Sequence, residues 1–247
     1  MSRQNTEFFW SRQTLDWYQS AAEYSHYHEA LADLLAPELT GCGSVCDLGC
    51  GHGLLSLALL DHIPEITALD RDTGALAMLK ERAAGRPGLH IRQADAMHLA
   101  PEDCWDALVL SFFGQITAGD RLHYFMSHCN RKLVCVVNAA VRSSFSSTGV
   151  SAMKKEYSDQ VADFLTGRGI SFTRQDAALE FGQPLKDLED ARNFIARYSP
   201  PGRAVTDEAS LKASLEKLPD GRWYLPHRKK ISIFVISKED MRYEQLS

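Results

Sequence analysis

From about Val45 to Ser237 the chain alternates short, almost wholly apolar runs with stretches whose apolar residues recur every three or four positions. SVCDL, EITALD, LHIRQAD, WDALVLSF, KLVCVVNAA and ISIFVIS read as strands buried on both faces. Between them the three-to-four periodicity predicts helices over about Leu54–Asp61, Thr73–Ala84 and Asp120–Cys129. Regular alternation of this kind predicts a doubly wound, mostly parallel sheet with helices on both faces. Ahead of it, Trp10, Thr14, Trp17, Tyr24, Tyr27, Leu31 and Leu34 or Leu35 mark one face of a long helix from roughly Glu7 to Leu39, stopped by Pro37 and Gly41–Gly43. Beyond Ala140, "VRSSFSSTG" predicts a loop and Ala152–Thr166 a helix. ISFTRQDAALEF holds a further strand, and "SPPG" separates helices over about Leu185–Arg197 and Asp207–Leu218. The organisation expected is a helical cap over 1–43 and an α/β domain over 44–247, with a helical insertion at 182–228 before the last strand.

The chemistry concentrates in VCDLGCGHGLL, residues 45–55. A strand, a glycine-rich turn and a helix start present backbone N–H groups and a positive dipole end to a ligand. Glycine serves where the chain turns sharply or where a ligand touches the backbone. A dinucleotide fingerprint would read GxGxxG, whereas Gly49, Gly51 and Gly53 make GxGxG, with Leu54 where the third glycine would fall. Asp47, two residues ahead of the first glycine, is badly placed beside a pyrophosphate and well placed to accept from an ammonium group. The turn therefore suits a cationic amino-acid moiety.

In these residues the chain resembles the class I S-adenosylmethionine-dependent methyltransferases. VCDLGCGHG is similar to their first motif, and the resemblance continues in order through Asp70 in ITALDRD, Asp95 and Ala96 in RQADAMHL, and Ser111 and Phe112 in WDALVLSFFG. It covers roughly residues 45–140. It implies a Rossmann-like methyltransferase fold that takes S-adenosylmethionine as cofactor, with a cofactor site of Asp47, Gly49, Cys50, Gly51, Gly53, Asp70, Arg71, Asp95, Ala96, Ser111 and Phe112. In it, Asp70 would bond the ribose hydroxyls, Asp95 the adenine amine, and the Ala96 N–H would be offered to the base. Asp95 could equally cap the turn that follows it. The helix ahead of the first motif often folds over the cofactor in such enzymes, which makes Tyr24 or Tyr27 a candidate contact, with core packing as the alternative for both, and the N-terminal helix a candidate lid.

Transfer from a sulfonium needs alignment of nucleophile, methyl and leaving sulfur rather than a covalent intermediate, and no nucleophilic triad is apparent. Candidate bases are His26 and His28, both expected to face solvent, Tyr27, and His98, expected at the surface; none is assigned. SFFG departs from the motif of enzymes that methylate exocyclic amines of nucleic-acid bases, and the net charge of −5 disfavours a polyanionic partner. The run HRKK at 227–230 is expected to be the solvated start of a strand. Six cysteines lie outside metal-site spacing, and Cys46 and Cys135 read as small buried hydrophobes. No apolar run is long enough to span a bilayer, and a polar N-terminus leads to the expectation of a cytoplasmic protein that binds neither membrane nor metal. The expected acceptor is a small molecule, served by the first forty residues and by Phe194, Tyr198, Trp223 and Tyr224, which could wall a pocket or pack the added helices. A protein that binds the cofactor without catalysis is the alternative.

Overall fold

The computed structural model describes residues 12–139, 157–198 and 207–241. In chain order the elements are α1 (Arg12–Ser25), α2 (Tyr27–Leu39), β1 (Val45–Leu48), α3 (Leu54–Leu59), β2 (Ile66–Asp70), α4 (Thr73–Ala83), β3 (Leu89–Gln93), β4 (Trp105–Ser111), α5 (Arg121–Ser127) and β5 (Cys129–Asn138). Then follow α6 (Tyr157–Gly167), β6 (Thr173–Glu180), β7 (Gln183–Leu185), α7 (Leu188–Tyr198), α8 (Glu208–Ala213), β8 (Glu216–Lys217), β9 (Trp223–Leu225) and β10 (Arg228–Ser237). They group into two compact units, one of residues 12–27, 180–198 and 207–228, the other of 28–139, 157–179 and 229–241.

The larger unit is organised on a seven-stranded sheet in the order β3-β2-β1-β4-β5-β10-β6. β1 pairs in parallel with both β2 and β4, and only then does the order move outward on either side. That reversal opens a crevice beyond the carboxyl ends of β1 and β4, where ligands bind in sheets of this kind. The apolar strands behave as their composition demands: every residue of β1 is buried, as are Leu108–Leu110 of β4 and Leu133–Val136 of β5. β10 runs antiparallel to β5 with Ile231 opposite Asn138, so the residues that begin β10 lie at the same sheet end as the loops leaving β1, β2 and β4.

The smaller unit holds a three-stranded antiparallel sheet, β7-β9-β8, with α1, α7 and α8. Its core centres on Trp17, whose ring meets Phe194 edge-on at 5.2 Å and Tyr198 at 6.3 Å. The Trp17 indole N–H donates to Asp190 at 2.9 Å, and the Gln183 amide donates to the Trp17 carbonyl at 3.1 Å.

Three local differences from the periodicity have physical causes. The long N-terminal helix is two helices, because His26 adopts φ 49°, a left-handed conformation that no helix continues through; residues before Arg12 lie outside the described ones. The helix expected to reach Leu218 stops at Ala213, after which Glu216–Lys217 pairs with Trp223–Tyr224. β7 carries Pro184 and spans three residues, too short for a pattern to register. The 141–149 loop, the "SPPG" break and the start of the Ala152–Thr166 helix lie outside the described residues, and α6 covers that helix from Tyr157.

Candidate functional site

The Gly49 and Cys50 N–H groups both donate to the Leu69 carbonyl, at 2.8 and 3.1 Å, which staples the turn after β1 to β2. Gly49, Gly51 and Gly53 adopt φ of 74°, 54° and 67°, for two different reasons. A Cβ on Gly49 would lie 2.7 Å from the Phe113 ring, and one on Gly53 would overlap the Leu79 methyl carbons of α4. These two are glycines because the protein itself fills the space. A Cβ on Gly51 would meet nothing within 4 Å. Its left-handed backbone is open on the face where a ligand would rest.

Asp70, the last residue of β2, faces that turn. One carboxylate oxygen accepts from the Gly51 N–H at 2.8 Å and the other from the Asp72 N–H at 2.9 Å. A carboxylate offers about four acceptor positions, so each oxygen keeps capacity for a ligand hydroxyl. Asp72 caps α4 through the Gly74 and Ala75 N–H groups, and Arg71 between them is exposed. Asp47 is only 2% exposed and accepts from the Ser56 hydroxyl at 2.6 Å, tying β1 to α3 beneath the turn. Burial, opposed by that hydrogen bond and aided by the Asp70 charge, pushes its carboxyl up to about 6. Cys50 is half-buried, its thiol raised by burial and by the Asp47 and Asp70 carboxylates.

The Ala94 N–H donates to the Asp70 carbonyl at 3.0 Å, which brings the loop after β3 beside β2. Asp95 accepts from the Met97 N–H and contacts His98 Nδ1, both at 2.9 Å. Those bonds, the backbone one first, hold its carboxyl below the usual range. Asp95 thus caps its own turn, the plainer of the two readings of that residue, while Ala96 packs into the main core.

Ser111 ends β4, and Phe112 follows in a left-handed conformation, φ 55°, its N–H donating to the Val136 carbonyl at 2.9 Å. Phe112, Phe113 and Gln115 join Val137, Asn138 and Tyr157 around a cavity of about 240 Å³. The Lys229 ammonium sits 3.5 Å from the centroid of the Phe112 ring.

Two expectations need correcting. His28 does not face solvent: it is 8% exposed, and burial, with Lys229 and Arg82 nearby, pushes its imidazole down to about 3. HRKK is not uniformly solvated, because strand alternation exposes Arg228 and Lys230 and turns Lys229 the other way; period-two register was the signal available. His26 is exposed, and the His98 side chain is 81% exposed, as expected of both. Tyr27 belongs to the smaller unit, buried with its ring 4.8 Å from Phe181. Phe194 and Tyr198 pack around Trp17, with Trp223 against the same cluster. Among the described residues no group of His, Cys, Asp and Glu could hold a metal ion, and no helix is long and apolar enough to cross a membrane.

The strand order, the glycine turn and Asp70 at the end of β2 coincide with a match of residues 45–134 to a family described as a methyltransferase domain. Over these residues the chain is similar to that methyltransferase domain. Members of this family use S-adenosylmethionine. Uncharacterized methyltransferases of Mycobacterium tuberculosis and Mycobacterium bovis are 38% identical over 84 residues, which are 34% of this chain. The match spans 41% of those relatives' length. Among solved structures, the YcgJ protein of Bacillus subtilis superposes with a TM-score of 0.52 at 16% identity, over 85% of this chain and 98% of its own. The (4+2)-cyclase SpnF gives 0.51 at 16% identity, over 85% and 80%. At such identities the likeness is one of fold, and a cyclase among the neighbours illustrates that this fold does not by itself name a reaction.

Proposed function

We propose that this protein binds S-adenosylmethionine on the glycine turn and transfers its methyl group directly to a small-molecule acceptor. The observation that carries the reading is the contrast among the three glycines: the flanking two are occupied by Phe113 and Leu79, and Gly51 is open beside a carboxylate with acceptor capacity to spare. The residues fit the cofactor. Asp70 would take the ribose hydroxyls, the loop at Asp95 and Ala96 the adenine, and Gly49, Cys50, Gly51 and Gly53 would run along the amino-acid end. Ser111 and Phe112 would flank the reacting end. Asp47, bonded to Ser56, would act on the amino-acid end as a buried negative charge beneath the turn.

When bound, the cofactor supplies an already activated methyl, so what remains to this chain is alignment, which is worth on the order of 7–11 kcal/mol when it is good. The cavity at the ends of β4 and β5 supports a small acceptor, because about 240 Å³ falls below the volume of pockets that enclose drug-sized ligands, roughly 300–1,000 Å³. Its walls mix aromatic rings with the Gln115 and Asn138 amides, which suits a partly apolar acceptor that carries a polar group. The negative net charge speaks against nucleic acid.

The test is to incubate the purified protein and S-adenosylmethionine with a metabolite extract. Mass spectrometry should find metabolites heavier by one methyl, in step with formation of S-adenosylhomocysteine. Cofactor binding with no turnover in any extract would favour the non-catalytic alternative, and absence of binding would overturn the reading altogether.

A further inference from the structure

The smaller unit holds a hollow of its own, of about 180 Å³, and every described residue that lines it belongs to that unit. One wall is a stripe of α1, where Asp16, Trp17 and Ser20 fall three and four residues apart and so share a face. Pro184 of β7, Lys186 in the turn after it, Asp190 of α7 and Arg222 just ahead of β9 form the rest. Two acids and two bases thus border a space with room for about six water molecules at roughly 30 Å³ each. That is the scale of a small free amino acid.

Opposite charges that share so small a space ordinarily pair, and these do not. The Asp190 carboxylate accepts from the Trp17 indole N–H at 2.9 Å through one oxygen and from the Lys186 backbone N–H at 3.0 Å through the other. The Arg222 backbone N–H and Nε both donate to Asp220, at 3.0 and 2.8 Å, and its guanidinium stands 6.0 Å from the centroid of the Tyr24 ring. Among the described residues the Asp16 carboxylate and the Lys186 ammonium have no bonded partner, and no ion pair joins either acid to either base. A carboxylate offers about four acceptor positions and a guanidinium five N–H donors. Asp190 and Arg222 are therefore fixed in place with capacity left over.

We propose that this hollow binds a small free α-amino acid as its zwitterion. The ammonium lies on the side of Asp190 and Asp16, the carboxylate meets Lys186 and the terminal nitrogens of Arg222, and the side chain rests on Trp17 and Pro184. A simple anion would bring its charge against two carboxylates, and a simple cation would meet two bases. A molecule that carries both charges a few ångströms apart satisfies both pairs. The wall is rigid, because the Trp17 carbonyl accepts from the Gln183 amide at 3.1 Å and its ring meets Phe194 edge-on. A ligand that finds its partners already placed loses little to ordering them.

The experiment is saturation-transfer NMR on the full chain, with L-serine as the probe and propionate and ethylamine as its singly charged counterparts. L-serine should bind with a Kd in the millimolar range or tighter. Each counterpart should bind at least tenfold more weakly, since a hydrogen bond to a charged group is worth roughly tenfold or more. Arg222→Gln should weaken L-serine at least tenfold. Asp16→Asn should act in opposite directions on two probes, weakening L-serine roughly two- to fivefold and strengthening propionate, a signature that a general loss of structure does not give. Ser20→Leu, which helix propensity favours and which fills the hollow, should abolish L-serine binding in a folded protein. Gly51→Ala should leave that binding unchanged, which separates the hollow from the amino-acid end proposed for the glycine turn. The inference is overturned by propionate bound as tightly as L-serine, by undiminished L-serine affinity in folded Arg222→Gln or Ser20→Leu, by its loss in Gly51→Ala, or by no L-serine binding at all. Failure of S-adenosylhomocysteine to bind would strike the cofactor reading instead and leave this one standing.

Discussion

Gly51 and Gly53 both have left-handed backbones, yet alanine at the two positions should behave differently. Moving an L-residue into this region costs roughly 1–2 kcal/mol, the same at either position. At Gly51 nothing else is added, since a Cβ meets no atom within 4 Å. At Gly53 the new carbon overlaps the Leu79 side chain, and overpacking adds roughly 1–3 kcal/mol. A chain of this size loses about 2–4 °C in Tm per kcal/mol. Gly51→Ala should therefore melt about 2–8 °C lower, and Gly53→Ala about 4–20 °C lower. Binding should follow the reverse order. The methyl of Gly51→Ala stands where the ligand would approach the backbone, so S-adenosylhomocysteine affinity should fall at least tenfold in a folded protein. Where Gly53→Ala remains folded, its affinity should fall less. Thermal melts and titration calorimetry on the two variants read both quantities. If Gly51→Ala binds like the unsubstituted protein, the open face is not the cofactor's, and if the two variants melt alike, the packing role of Gly53 is wrong.

Asp70→Ala removes the acceptor for the Gly51 and Asp72 N–H groups as well as for the ribose, charge-assisted bonds worth roughly 1.5–3 kcal/mol each; calorimetry should show S-adenosylmethionine bound at least tenfold more weakly, and unchanged affinity would remove Asp70 from the site. Asp47 should leave a mark on stability against pH: its carboxyl is raised from 3.8 to about 6, so its contribution is complete below about pH 4 and is lost as pH rises through 6, on the order of 3 kcal/mol in all. The stability advantage of the unsubstituted protein over Asp47→Asn, from denaturant melts, should shrink across that interval. His28, whose pKa is depressed, acts in the opposite sense, its contribution lost as pH falls below 6.5, and taking the difference between the two proteins cancels it. A pH-independent difference would mean that Asp47 is not held protonated.

What could be read directly from the chain was local. The alternation of apolar runs with helical periodicity placed β1 to β5 and β10, because strands buried on both faces have no polar face to blur them. The glycine spacing marked the turn, because positive φ is written in the residue type itself. The break at His26 was not legible, since nothing in YSHYHEA announces a left-handed histidine. The burial of His28 escaped for a related reason: Lys229, which helps to hold its imidazole neutral, lies two hundred residues away. The aromatics of α7 and β9 could have lined a pocket or a core with equal economy. Only Trp17, from the far end of the chain, decides that Phe194 and Tyr198 pack.

The same difference in range explains why the residues proposed for the cofactor were legible and those proposed for the acceptor were not. The turn, Asp70 and the Asp95 loop follow one another within about fifty residues, each at the carboxyl end of a successive strand, and each is marked by glycine or by aspartate. The cavity is assembled differently: Phe112 and Gln115 from the loop after β4, Val137 and Asn138 from β5, Tyr157 from α6 and, against the Phe112 ring, Lys229 from β10. None of these carries a residue type that announces a role, and their order in the chain says nothing of their proximity. On the proposed reading the cofactor contacts are contiguous and the acceptor wall comes from distant segments, so that changing a loop would exchange one acceptor for another while the turn stays as it is. On that reading, the identity of the acceptor has to be sought in side chains such as Gln115 and Asn138, whose substitution should alter which molecule is methylated before it alters whether the cofactor binds.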